Sequence, residues 1–109
     1  MVTVGWLIRL EAKPGQEADV EHSLKAGLAR IRELPEPIAW IAIRLGPSTF
    51  GIFEAYSDEE ARQTLLAVGS ALLAKKASLF ARPPLIEKVD ILAAKLPEER
   101  PRAEDNTSS

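Results

Sequence analysis

The sequence predicts an α+β fold of β-α-β-β-α-β order, and three observations carry that reading. Apolar side chains alternate with period two in some segments and recur with helical spacing in others, and proline, glycine or capping residues mark the joints. Val2 to Glu11 is the first strand, with Val2, Val4, Trp6, Ile8 and Leu10 on one face. Lys13-Pro14-Gly15 ends it and suits the opening of a helix. Val20, Leu24, Leu28, Ile31 and Leu34 then form one helical stripe at four- and three-residue steps. Glu17 and Asp19 in the first turn, and Arg30 and Arg32 near the end, carry the charges that the helix dipole favours. Leu34-Pro35-Glu36-Pro37 stops the helix, because proline disfavours helical backbone in the residue before it.

Ile38 to Leu45 and Thr49 to Tyr56 read as the second and third strands, joined as a hairpin by Gly46-Pro47-Ser48. Ser57-Asp58-Glu59-Glu60 has the spacing of a capping box and opens the second helix. Its expected buried stripe is Ala61, Leu65, Val68 and Leu72. Gly69-Ser70 is expected to bend or split this helix, which resumes to about Phe80 and stops at Arg82-Pro83-Pro84. Leu85 to Leu96 is the fourth predicted strand, with Leu85, Val89, Ile91 and Ala93 on one face. Residues 97–109 are polar and aperiodic and are expected to form a disordered tail, which leaves residues 1–96 as one domain. The order is the split βαβ, ferredoxin-like arrangement, a four-stranded antiparallel sheet with both helices on one face. The second strand is apolar in both parities (Ile38, Trp40 and Ala42; Ala39, Ile41 and Ile43). A sheet apolar on both faces in so short a chain implies a second copy, and a homodimer is expected.

Composition bounds the function. The 109 residues fit one domain. With 14 basic and 16 acidic residues, the net charge is −2, so no basic surplus exists to neutralise phosphates and nucleic-acid binding is not expected. The absence of cysteine removes disulfides, thiol nucleophiles and thiolate metal sites, and suits a reducing, cytoplasmic setting. No apolar run approaches the ~18 residues of a membrane-spanning helix. Met1-Val2-Thr3-Val4-Gly5-Trp6 has no basic segment before its apolar run and reads as a strand rather than a signal peptide.

Few side chains are candidates for chemistry. His22 is the only histidine, and at ~100° per residue it lies opposite the apolar stripe of its helix, so it is expected on the surface. Without a second histidine no metal site is expected. Glu54 is an unusual carboxylate inside a strand, between Phe53 and Ala55. If the hairpin turns symmetrically about Pro47, Trp40 faces Glu54 and Ile38 faces Tyr56; a slip of one residue reverses that parity. A carboxylate against tryptophan loses solvent, binds its proton more tightly and can act as a base. The plainer alternative is an ion pair or hydrogen bond that helps to hold a dimer. Trp6, Trp40, Phe50, Phe53 and Tyr56 can line a site for an aromatic ligand, although core packing is the commoner use. Lys75-Lys76 reads as a solvated helix face, Gly5 and Gly51 as bulges or close approaches within strands, and Gly46-Pro47-Ser48 lacks phosphate-loop spacing.

Several segments resemble a known family. They are Arg9-Leu10-Glu11-Ala12-Lys13-Pro14-Gly15-Gln16-Glu17-Ala18 and Phe50-Gly51-Ile52-Phe53-Glu54-Ala55-Tyr56-Ser57-Asp58-Glu59-Glu60-Ala61, each at a strand-to-helix joint. The stretches Ala39 to Phe50 and Ile86 to Pro97 add to them. Together they resemble the antibiotic biosynthesis monooxygenase-like family of dimeric α/β barrels, from Val2 to about Leu96. The resemblance implies cofactor-independent oxygenation of a hydrophobic aromatic or quinol substrate. In such chemistry a dry pocket holds a phenolate or hydroquinone anion that itself reduces dioxygen, and the protein supplies desolvation, a polar anchor and a base. Several members use asparagine and tryptophan, with a histidine on the second helix. Here the only asparagine is Asn106, in the tail, and the histidine position falls near Leu65, so haem ligation is not expected. The expected site therefore has Glu54 and Tyr56 as catalytic groups and Trp6, Trp40, Phe50 and Phe53 as binding groups, with no cofactor. The rival reading is a non-catalytic dimeric binding or stress-response module. A third is an isomerase or decarboxylase that uses Glu54 as a proton shuttle.

Overall fold

Alternating apolar side chains and helical stripes fold as the pattern requires in the computed structural model, which describes residues 2–97. The elements are β1 (Val4–Glu11), α1 (Glu17–Ile31), β2 (Ala39–Arg44), β3 (Thr49–Tyr56), α2 (Glu59–Lys75), a short 3-10 turn (Ala77–Leu79) and β4 (Leu85–Asp90). The sheet order is β2-β3-β1-β4, with every neighbouring pair antiparallel. This is the expected ferredoxin-like α+β fold.

Parity decides what each sheet face meets. Trp6, Ile8, Leu10, Phe50, Ile52 and Tyr56 share the face that packs under the helices and form the core with Val20, Ala12 and Phe80. The other face carries Leu7, Ile41, Ile43, Phe53 and Leu85, and no helix among the described residues covers it. Ile41, Ile43 and Leu85 are 51%, 45% and 53% exposed. The doubly apolar second strand thus has one face in the core and one in solvent. Between β1 and α1, Gly15 takes a φ of 87°, a left-handed conformation that a side chain would strain.

Four expectations are corrected. β4 stops at Asp90, not Leu96. Its partner β1 begins at Val4, opposite Asp90, and beyond that pair Ile91 donates one bond to the Thr3 carbonyl before the ladder ends. Residues 98–109 of the expected tail lie outside the described residues. The second helix is capped by Asp58, whose carboxylate accepts from the Ala61 amide at 2.8 Å; Ser57 instead donates to Glu36. Its stripe is also rotated, so that Arg62 is buried beside Ala61, Leu65, Leu66 and Leu73, while Val68 is 47% exposed. Gly69 does not split the helix, which runs unbroken to Lys75. A Cβ at Gly69 meets nothing within 4 Å. Gly69→Ala is therefore expected to stabilise the protein by about 0.5–1 kcal/mol, read as a small rise in melting temperature. A fall would mean that the helix needs the glycine for a close contact. Gly5 and Gly51 mark close approaches rather than bulges, since the β1–β3 ladder is continuous through both.

Candidate functional site

The hairpin does turn symmetrically about Pro47, and Trp40 lies opposite Glu54. On the other side of β3, Trp6 also pairs with Glu54. Cross-strand partners share a face, so the carboxylate sits between two indoles on the helix-covered side of the sheet. Two residues along the same strand face, the Tyr56 hydroxyl donates to Glu54 Oε1 at 2.7 Å. Tyr56 is only 1% exposed and Glu54 is half-buried.

The electrostatics follow from that burial. Loss of solvent pushes the Glu54 pKa above its ordinary value, and the Tyr56 hydroxyl and, more weakly, the Trp40 indole oppose the rise. Burial, with the adjoining Glu54, raises the Tyr56 phenol as well, so it is a neutral donor. A second carboxylate lies nearby: Glu36 accepts from the Ser57 hydroxyl at 2.6 Å and from the Ser57 amide at 3.3 Å. A carboxylate whose pKa is raised in the folded state favours folding when protonated. Its contribution is present below the unfolded value and is lost as pH rises through the folded value. The melting temperature should therefore fall as pH climbs upward from the ordinary carboxylate range. Glu54→Gln should flatten that slope and melt higher than wild type at neutral pH. An identical pH slope in the variant would show that Glu54 ionises as an ordinary carboxylate.

Trp6 is fixed by a residue that the sequence reading did not single out. Its Nε1 donates to the Arg62 carbonyl at 3.1 Å, and the Arg62 guanidinium lies 5.3 Å from the Trp6 ring. Arg62, 5% exposed, donates to the carbonyls of Gly5 (3.3 Å) and Val89 (3.2 Å) and pairs with Glu59, while its Nε has no partner among the described residues. The signal available was its place one residue after Ala61 and three after Glu59, on the side of the helix that turns inward.

Other expected site residues divide. Trp40 and Phe50 border a groove of about 450 Å³ between α1 and β2, whose wall also includes Leu24 and Leu28. Glu54 and Tyr56 do not line it; they stand one strand inward, behind Trp40. Phe53 is not brought to the site, because it pairs with Leu7 and Ile41 on the opposite face. His22 is exposed on α1, as its place on the helix predicts. Among the described residues no cluster of histidine, aspartate and glutamate could hold a metal ion. Nor is any helix there long and apolar enough to cross a membrane.

The ferredoxin-like sheet with two helices on one face is a fold shared with several solved proteins. A crystal structure of a "putative antibiotic biosynthesis monooxygenase" from Caulobacter crescentus superposes with a TM-score of 0.67 at 21% identity, covering 84% of this chain and 92% of that one. A protein of the same description from Bordetella bronchiseptica matches with a TM-score of 0.67 at 13% identity, over 85% of this chain and all of that one (100%). These two likenesses show that the chain shares the ferredoxin-like fold of those proteins. A Nitrosomonas europaea protein of unknown function is 46% identical, with a TM-score of 0.83 over 89% of this chain and 96% of that chain. The chain belongs to the family of that Nitrosomonas protein. No protein-family model matches the chain, and no curated protein sequence does.

Proposed function

We propose that the protein is a homodimeric, cofactor-independent monooxygenase-like protein for a hydrophobic aromatic or quinol substrate, with Glu54 as proton acceptor and Tyr56 as the group that orients it. One observation carries the reading: a carboxylate of raised proton affinity is held between two indoles by a buried phenol. Such a group can take a phenolic proton, and the resulting anion is the reductant of dioxygen. The substrate occupies the α1–β2 groove against Trp40, whose side chain must move aside for the phenolic proton to reach Glu54. The structurally similar Caulobacter and Bordetella proteins are described as monooxygenases, which supports the oxygenase part of the reading. The test is oxygen uptake by the purified protein with a panel of hydroquinones and anthrone-like phenols. Enzyme-dependent uptake supports the proposal, and none with any of them removes it.

One observation favours the second reading, a binding module without catalysis. Glu54 and Tyr56 satisfy each other and do not line the groove. Ligand binding without oxygen uptake would establish that reading.

Homodimerisation is part of both. The uncovered sheet face presents Ile41, Ile43 and Leu85 to solvent, with Leu7 and Phe53 between its edge strands, which suits burial against a second copy. Light scattering at micromolar concentration should give about twice the 11.9 kDa chain mass. Ile41→Asp, which places a charge on that face, should give the monomer mass; a monomeric wild type would overturn this arrangement.

A further inference from the structure

The groove between α1 and β2 also constrains the ligand's chemistry, and we infer that it takes a flat apolar molecule bearing one acidic group, with Arg44 as the anchor of that group. This rests on the proposed function in taking the groove as the substrate site and deepens it by naming the substrate class. Its volume of about 450 Å³ falls within the range of small-molecule sites, roughly 300–1,000 Å³. The floor is apolar: Trp40 and Ala42 of β2, Leu24 and Leu28 of α1, and the Phe50 ring. The charged groups stand together at the rim. Glu21 pairs with Lys25 at 2.8 Å and with Arg44 at 2.5 Å, so two cations share one carboxylate. The rim is one negative charge short of neutrality, and a monoanion completes it.

Arg44 is held in place before any ligand arrives. It donates to the Pro47 carbonyl at 2.9 Å and to Glu21, and its guanidinium lies over the Phe50 ring at 4.6 Å from the centroid. These contacts hold the guanidinium at the groove rim while leaving the side chain partly open to solvent. A guanidinium has five N–H donors, so the two bonds to Pro47 and Glu21 leave donors for a ligand carboxylate. Preorganisation lowers the ordering cost of binding. The second groove, of about 420 Å³ between the end of α2 and Pro83-Pro84, offers no such paired charges and shares no residue with the Glu54 site.

The probes are naphthoate and its uncharged isostere naphthamide, titrated calorimetrically into the intact protein at low salt. Naphthoate should bind about tenfold tighter, the order expected for one hydrogen bond to a charged group. Arg44→Gln should abolish that preference and leave naphthamide affinity within about twofold, because the substitution removes the charged contact but not the apolar floor. Trp40→Ala should weaken both probes. The preference should also shrink as salt rises, since Lys25 and Arg44 are 76% and 43% exposed. Equal binding of the two probes, survival of the preference in Arg44→Gln, or no binding of either probe overturns the inference. Naphthoate binding with the expected preference in a protein that consumes no oxygen with any quinol supports this inference while removing the oxygenase reading.

Discussion

Glu54→Gln is expected to fold and dimerise like wild type, yet lose roughly two to four orders of magnitude of quinol-dependent oxygen uptake, the usual contribution of a positioned base. The amide keeps the volume of the carboxylate between Trp6 and Trp40 but cannot accept a substrate proton at neutral pH. Tyr56→Phe separates orientation from chemistry. The phenol donates to Glu54 and opposes the rise in its pKa. Without it, the carboxylate should hold its proton to higher pH. The acid limb of the pH–rate profile should then move upward, with a smaller loss at the plateau than in Glu54→Gln. A purely structural Tyr56 would lower stability and leave the profile in place. If wild type is active and Glu54→Gln retains its full rate, the base lies elsewhere.

The strand–helix order was readable because it is written in local chemistry. Period-two alternation in β1 and β3 and the prolines after α1 act within a few residues of themselves. The pairing of Trp40 with Glu54 was readable conditionally, since one symmetric turn about Pro47 fixes the register of the whole hairpin. Trp6 was a different matter. Its approach to the far side of Glu54 depends on β1 inserting between β3 and β4, a long-range choice that no local pattern expresses. Phe53 was misplaced for a related reason. It is as aromatic as Phe50, and only the parity that puts Glu54 under the helices puts Phe53 on the opposite face.

Arg62 was missed because an arginine on a helix is usually solvated, and Val68 looked the better core residue. The reason Arg62 can be buried lies at the other end of the chain. Gly5, lacking a side chain, lets the β1 backbone come close to β3, and its carbonyl is one of the acceptors of the guanidinium. Burial of this cation therefore depends on a strand position that precedes it by 57 residues.

Gly5→Ala should accordingly be among the most damaging single substitutions in the protein. An ideal Cβ at this position lies 2.2 Å from the Glu54 carbonyl oxygen and 3.4 Å from a Val89 methyl. The first of these is a backbone atom in a paired strand, so it cannot swing aside as a flexible side chain would. Relief requires β1 and β3 to separate at the point where Glu54 is held between the indoles, and it moves the Gly5 carbonyl away from Arg62. Overpacking of a close-packed interior costs about 1–3 kcal/mol and sometimes more, and weakening the contacts of a buried cation adds to it. A loss of about 3 kcal/mol corresponds to a melting temperature lower by roughly 10–20 °C in a domain of this size. Gly46→Ala is the matched control, because a Cβ there meets nothing within 4 Å, and it should leave the melting temperature nearly unchanged. Thermal unfolding followed by circular dichroism compares the two directly. Equal melting of Gly5→Ala and wild type would mean that β1 and β3 lie further apart at Gly5 than described, and the enclosure of Glu54 by Trp6 would fall with it.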